Sequence, residues 1–324
     1  MANGRYFIAG GAGFIGSHFV DRLLGDPATG RVTVYDNFSS GRRWHLEAHR
    51  ADPRFAVHAA ELEDLARLAA AMAGHDTVIH LASNPDIARA QVEPDIDFYE
   101  GTLLTQQVIE AMRRTGAKTI LYASGSGVYG DLRDVAATEN EPGCRPISTY
   151  GASKIAGEAM ISAYCFMFDL RGRAFRFGNV VGARQTHGVG FDFVRRLLER
   201  PAELCILGDG RQSKSYIHVD DAVDAVITAH ARAQARFDAF NVATGDYMTV
   251  SEIAELAVEC VGLAPGSVRL RYTGGDRGWK GDVPVVRLAI DHIKSLGWSC
   301  RRSSREAMRA AMTALAADMR AGRM

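Results

Sequence analysis

An α/β fold with a doubly wound parallel sheet and a smaller, discontinuous lobe is what this 324-residue sequence predicts. Three observations lead there. Short apolar runs alternate with amphipathic runs through the first half of the chain. Glycines at three-residue spacing join the first strand to the first helix, and the alternation breaks after Asn179.

Residues 5–20, RYFIAGGAGFIGSHFV, come first, and the rest is organised around them. Tyr6, Phe7 and Ile8 read as a buried strand; Gly10, Gly13 and Gly16 follow, and Phe14, Ile15, Phe19, Leu23 and Leu24 make one apolar helix face. The first glycine permits a tight turn, the second lets the backbone approach a pyrophosphate, and the third packs helix on strand. The unbonded N–H groups of the first helical turn then face the anion. Residues 31–35 (RVTVY) form a second strand ending at Asp36, about twenty residues after Gly16, where a carboxylate accepts both adenosine ribose hydroxyls. That points to NAD. Arg42 and Arg43 follow, but Asp36 would repel the 2′-phosphate of NADP. The loop 37–41 (NFSSG) supplies Asn37, Ser39 and Gly41, small side chains and amides suited to a cofactor wall.

Residues 55–58 form a short strand, Glu61 and Leu62 lead into an alanine-rich helix ending at Met72, and residues 77–81 (TVIHL) are the next buried strand. Strands at 118–123 and 172–177, with helices at 101–114 and 152–168, continue the βαβ repetition, so the sheet is of the Rossmann type. Gly10, Asp36, Ala82, Ser124 and Asn179 then fall at carboxyl ends of strands, where ligands bind in such sheets. Beyond Asn179 come a glycine-rich loop (181–190), a helix at 191–198 and a turn at 207–211. The expected division is a nucleotide-binding domain of residues 1–179 plus about 216–247, and a substrate lobe of 180–215 and 248–324. An amphipathic helix at 305–320 closes the lobe.

Composition narrows the function. Thirty-eight basic residues balance 38 acidic ones, so no charge excess is available for a nucleic-acid backbone or an anionic membrane. No apolar run approaches the roughly twenty residues of a membrane span. The first strand begins within a few residues of Met1, which leaves no room for a signal peptide. Cys144, Cys165, Cys205, Cys260 and Cys300 lie far apart, with neither zinc spacing nor a disulfide framework. These features predict a cytoplasmic protein without a metal site.

Tyr150 and Lys154 are four residues apart in STYGASKIAGEAM, which stacks them on one helix face. An ammonium beside a phenol favours the phenolate, and bringing a tyrosine from about 10 toward neutrality takes roughly 4 kcal/mol. The positive nicotinamide of NAD can contribute. Such a tyrosinate takes the proton of a sugar hydroxyl while the carbon-bound hydrogen leaves as hydride.

GGAGFIG, VIHLAS, SGVYG, YGASK, RFGNVVG and KSYIHVDD, in this order, resemble the extended short-chain dehydrogenase/reductase family of NAD-dependent nucleotide-sugar epimerases and dehydratases. The resemblance covers nearly the whole chain and is nearest to UDP-galactose 4-epimerases and their UDP-glucuronate relatives. It implies that Tyr150 is the general base and that Lys154 holds the cofactor ribose and lowers the tyrosine pKa. It implies NAD contacts from Gly10, Gly13, Phe14, Ile15, Gly16, Asp36 and Asn37, and places Ala82, flanked by Leu81 and Ser83, near the nicotinamide-side ribose. Asn179 is expected to hold the sugar diphosphate, with Lys214, Tyr216 and Asp282 lining the far side.

The departures are specific. Where the family usually carries a catalytic serine or threonine, three residues before the valine of VYG, this chain has Gly125. Ser124 and Ser126 flank it; Ser126 is the expected hydrogen-bond partner of the reacting hydroxyl, and Ser124 is expected at the cofactor. Glu61, next to Leu62, replaces the usual adenine-contacting aspartate, Phe98 and Glu100 replace asparagines, and Lys214 replaces a nucleotide-gripping arginine. Trp279 stands where an arginine usually precedes Asp282, so Arg277 is the expected phosphate donor. His187, in the TxHG of the glycine-rich loop, is a further candidate for the substrate. His80 reads as a satisfied interior histidine, His218 as a tether between the lobes, and Asp220 with Asp221 as helix caps.

The expected activity is epimerisation at C4 of a nucleotide-linked sugar, a UDP-hexose by family frequency, through a 4-keto intermediate. Net C4 oxidation of a nucleotide sugar is the alternative. A 4,6-dehydratase ranks lower, because its Asp-Glu pair corresponds here to Ser126 and Gly127, and a catalytically silent NAD-binding protein ranks last. The helices at 101–114 (Leu103, Leu104, Val108, Ile109, Met112) and 152–168 (Ile155, Met160, Ile161, Tyr164, Phe168) carry apolar surface in excess of one sheet face. A homodimer through a four-helix interface is expected from them.

Overall fold

The apolar runs form strands and the amphipathic runs form helices in nearly the order expected. A computed structural model describes residues 4–323. The chain runs through β1 (Gly4–Ala9), α1 (Phe14–Leu24), β2 (Thr29–Asp36), β3 (Phe55–Ala59), α2 (Leu65–Met72), β4 (Thr77–His80), α3 (Leu104–Thr115) and β5 (Thr119–Gly125). It continues with α4 (Thr149–Met167), β6 (Arg171–Phe177), β7 (Asn179–Val181), α5 (Val189–Glu199), β8 (Glu203–Ile206), β9 (Ser213–Lys214), β10 (Tyr216–His218) and α6 (Val219–Arg232). Last come β11 (Phe237–Val242), β12 (Met248–Thr249), α7 (Val250–Cys260), β13 (Arg269–Tyr272), α8 (Asp291–Ser295) and α9 (Ser304–Arg320). No helix among the described residues is long and apolar enough to cross a membrane.

Seven strands make the central sheet, in the order β11-β6-β5-β4-β1-β2-β3, with β1 parallel to both β2 and β4. The strand order therefore reverses direction at β1, and ligands of such sheets bind at the carboxyl ends beside that reversal. Phe7, Ile8, Val32, Val34, Val78, Ile79, Ile120 and Leu121 are buried in the strands, as both faces of a helix-covered parallel sheet require. Leu68 and Met72 of α2 pack with Val108, Ile109 and Met112 of α3 against this sheet. That corrects one expectation. Leu104, Val108, Ile109 and Met112 are core residues of their own chain, because α2 covers the face of α3 that the sheet leaves open, and only Leu103 of the set stays half-buried.

The chain divides into two compact units at places other than those the sequence suggests. One unit holds the residues up to Val128, with Thr149–Arg176 and Val226–Phe240; the other holds Tyr129–Ser148, Phe177–Ala225 and the chain from Asn241 on. Residues 129–148 join the second unit through long-range bonds: Tyr129 Oη donates to Asn241 Oδ1 at 2.7 Å, and Ala137 bridges to Leu288. Residues 216–225 join it because Asp221 is held by Arg301 and Arg302, and its carbonyl by the Trp298 indole. None of these partners is near in sequence. The core of this unit is made by Phe193 and Leu197 of α5, Ile253 and Leu256 of α7, and Met308, Met312 and Leu315 of α9. Reciprocal capping boxes start α7 (Thr249 with Glu252) and α9 (Ser303 with Glu306).

Candidate active site

The turn from β1 into α1 is shaped for an anion. Gly10 has φ 81°, and a Cβ there would lie 2.8 Å from the Ala82 nitrogen, while a Cβ on Gly16 would collide with the Gly10 carbonyl oxygen. A Cβ on Gly13 would have only that oxygen within reach, at 3.3 Å, so that side of the turn is open. Gly13 is also the N-cap of α1 and offers no side-chain cap, which leaves the N–H groups of Phe14, Ile15 and Gly16 to a ligand.

Asp36, at the end of β2, is 8 % exposed; Oδ2 accepts the Ala12 N–H and Oδ1 the Phe38 N–H, both at 2.8 Å. A carboxylate has about four acceptor positions, so two remain for a ribose diol. Burial pushes its pKa up, against the two backbone bonds that favour the charge. Asn37 Nδ2 donates to Glu61 Oε2 at 2.9 Å, the Ser39 N–H is bound by Asn37 Oδ1, and Gly41 lies against Asp36 Oδ1. The Glu61 carbonyl accepts from Tyr35 Oη, and Leu62 is buried next to it. The Leu81 and Ala82 amides both donate to the Ala9 carbonyl, and Ser83, half-buried, continues that strand end. An open glycine turn and a buried, half-satisfied carboxylate at adjacent strand ends suit a dinucleotide.

Tyr150 and Lys154 stand in the first turns of α4, as their spacing predicts. Lys154 is 2 % exposed; its Nζ donates to the Ala123 carbonyl of β5 at 2.8 Å and lies 5.2 Å from the Tyr150 ring centroid. Burial lowers the Lys154 pKa to about 8, opposed by the charges of Asp97 and Glu158. Burial raises the Tyr150 pKa to about 12, with Asp97 raising it further. Gly125 directs its absent Cβ at Tyr150. Ser124 is buried and donates its hydroxyl to Glu158 Oε1 at 2.5 Å, so that donor is already engaged; Ser126 opens a 3-10 turn and is half-buried.

Several groups around this pair escaped the sequence reading. Glu158 extends the Tyr150–Lys154 spacing by one more turn and pairs with Arg176 Nη2 at 2.7 Å; the repeat of four was a usable signal. Asp97, Asn84 and Thr149 had none, since they meet only through the fold. His80 is half-satisfied: Nε2 reaches Thr105 Oγ1 at 3.1 Å, Nδ1 has no partner, and burial lowers its pKa to about 3, so the ring is neutral.

In the second unit, Lys214, Arg277 and Asp282 come together. Lys214 Nζ contacts Asp282 Oδ1 at 2.6 Å; Arg277 donates to the Asp282 carbonyl and to Asp131 Oδ2, each at 2.6 Å. Tyr216 is buried, and burial pushes its pKa up. Asn179 is exposed, its Nδ2 3.3 Å from the Ser215 carbonyl, and His187 is exposed beside Thr186 Oγ1. His218 Nδ1 accepts the Asp220 N–H, a contact between the end of β10 and the start of α6. Asp221 is an ion-pair partner of Arg301 and Arg302, where a helix cap was expected.

Residues 6–243 match the NAD dependent epimerase/dehydratase family. UDP-glucose 4-epimerase of Mycolicibacterium smegmatis is 33 % identical over 265 residues, 80 % of this chain and 83 % of that protein. A crystal structure of a UDP-galactose 4-epimerase superposes with a TM-score of 0.84 at 38 % identity, covering 97 % of this chain and 99 % of the other. The Streptomyces venezuelae dTDP-glucose 4,6-dehydratase DesIV, solved with NAD bound, gives 0.87 at 27 % identity over 95 % of both chains. The chain thus belongs to the NAD-dependent epimerase/dehydratase family, an enzyme family within the extended short-chain dehydrogenase/reductases, and NAD is its cofactor.

Proposed function

We propose that the chain is a 4-epimerase of a nucleotide-linked hexose, with UDP-hexose as its substrate class. The observation that carries the reading is the pairing of half-buried Tyr150 with buried Lys154, whose Nζ is fixed on the Ala123 carbonyl at the carboxyl end of β5. Relatives named UDP-glucose 4-epimerase support it. NAD, when bound, supplies the hydride acceptor and later donor, and its oxidised ring adds a positive charge.

Tyr150 Oη accepts the proton of the C4 hydroxyl and returns it after the keto sugar has turned over. From about 12, reaching neutrality takes on the order of 7 kcal/mol of phenolate stabilisation, more than an exposed tyrosine would need. Lys154 supplies part of that and holds the cofactor ribose. Gly10, Gly13, Phe14, Ile15 and Gly16 bind the pyrophosphate through backbone N–H groups. Asp36, with Asn37, Ser39, Gly41, Glu61 and Leu62, binds the adenosine end. Leu81, Ala82, Ser83 and Ser124 line the nicotinamide side. Ser126 donates to the reacting hydroxyl, and Asn179, His187, Lys214, Tyr216, Arg277 and Asp282 hold the nucleotide sugar. A homodimer in the cytoplasm is part of the proposal; the half-buried Met160 and Tyr164 and the exposed Phe166 and Met167 on α4 suit a partner helix, and the five cysteines are free thiols, as a reducing compartment keeps them.

Net C4 oxidation is the second reading, favoured by Gly125, which leaves no hydroxyl at the position facing Tyr150. An NMR screen of UDP- and GDP-sugars without added NAD separates the two. A new epimer supports epimerisation; accumulation of NADH and a ketone supports oxidation; NAD binding without turnover refutes both.

A further inference from the structure

Asp97 is 1 % exposed, and its carboxylate is held by two neutral donors. Asn84 Nδ2 donates to Oδ1 at 2.9 Å, and Thr149 Oγ1 donates to Oδ2 at 2.6 Å. Asp97 directly precedes a π-helical turn, Phe98–Leu103, without capping it. Such turns are frequent at functional sites. This one is pressed against the catalytic helix, since a Cβ on Gly101 would lie 2.6 Å from Ser153 Oγ.

A buried carboxylate persists as an anion only where something compensates its charge. Among the described residues no cation forms an ion pair with Asp97, which leaves the N-terminal end of α4 and the Lys154 ammonium, acting through space. The remaining charged and titratable groups near Lys154 are otherwise accounted for. From its own helix come Tyr150 and Glu158, and Glu158 is neutralised by Arg176 and bonded by Ser124. From β5 come the Ala123 carbonyl and the neutral Tyr122 ring; from β4 comes His80, also neutral. Asp97 is thus the one buried anion of this set without a cation in contact.

We propose that Asp97 is a positioning residue for the Tyr150–Lys154 pair: it pins the first turn of α4 through Thr149, and its charge is the counter-charge of the buried Lys154 ammonium. Its catalytic half rests on Tyr150 being the base of the reaction proposed above. Its electrostatic half does not. Asp97 keeps Lys154 protonated, and it also opposes ionisation of Tyr150, so the phenolate becomes favourable only when further positive charge arrives.

Lysine titration tests this without substrate. The chain has five lysines, so 13C-lysine NMR resolves them, and Lys154→Met assigns the signal. In Asp97→Asn the Lys154 midpoint should move to lower pH, and in Asp97→Glu it should return toward wild type. A merely structural role predicts the reverse, because a loosened α4 admits water and raises the midpoint toward that of ordinary lysine. An unchanged or raised midpoint in a folded Asp97→Asn overturns the proposal. Thr149→Val keeps both charges and removes only the anchoring donor. It should reduce kcat about tenfold with KM within about twofold, while the Lys154 midpoint stays put; an unchanged kcat refutes the positioning role. Were no sugar turned over at all, the epimerase reading would fail while the titration still decided the counter-charge.

Discussion

A Cβ built on Gly125 would lie 3.8 Å from the Tyr150 hydroxyl oxygen and 3.7 Å from its ring carbon Cε1. Both are ordinary van der Waals distances, and no other atom crowds the position, so a serine fits. Gly125→Ser places a hydroxyl beside the proposed base, and one added hydrogen bond to the reacting oxygen should raise kcat by about tenfold. Folding should be undisturbed, since a non-glycine residue in a strand also lowers the entropy of the unfolded chain. A lower kcat, or a Tm reduced by more than about 5 °C, would show that the space serves the substrate instead.

Tyr150→Phe removes only the oxygen proposed to accept the proton. Turnover should fall to below about one per cent, while NAD affinity, measured by calorimetry, stays close to wild type. Residual activity above that level would falsify the base assignment.

Asp36→Ala strips two backbone N–H groups of their acceptor and removes the proposed acceptor of the ribose hydroxyls. NAD binding should weaken by roughly 1.5 to 3 kcal/mol. Equal affinity in the variant, or wild-type preference for NADP, would mean that this strand end has another role.

Lys154 also leaves a signature in stability. Its folded pKa, about 8, lies below the 10.5 of an ordinary lysine, so between those values the unfolded chain binds the proton and the folded chain does not. Stability carried by this group therefore rises with pH across that window, by about 3 kcal/mol in all. Lys154→Met should lack the rise, as urea unfolding at pH 8 and pH 10 would show. Parallel pH dependence in both proteins would contradict the buried ammonium.

Met160 and Tyr164 of α4 are half-buried, and Tyr164 packs edge-on against Phe168 with ring centroids 4.9 Å apart. A charge at either position, Met160→Glu or Tyr164→Glu, should give a monomer with reduced turnover if α4 pairs with its copy. Sedimentation of a monomeric wild type at micromolar concentration would refute the dimer.

The sequence by itself determined the sheet, the glycine turn, Asp36 and the Tyr150–Lys154 pair. These rest on short-range regularities, alternation along a strand, three-residue glycine spacing and one helical turn, which are written in consecutive residues. Only the tertiary structure decided that α3 is covered by α2, that residues 129–148 belong with the second unit, and that Ser124 binds Glu158. The same holds for Asp97, which meets Thr149 across 52 residues of sequence. Burial converts such contacts into pKa shifts and fixed rotamers, and burial depends on what the rest of the chain packs against each group, which no local pattern specifies.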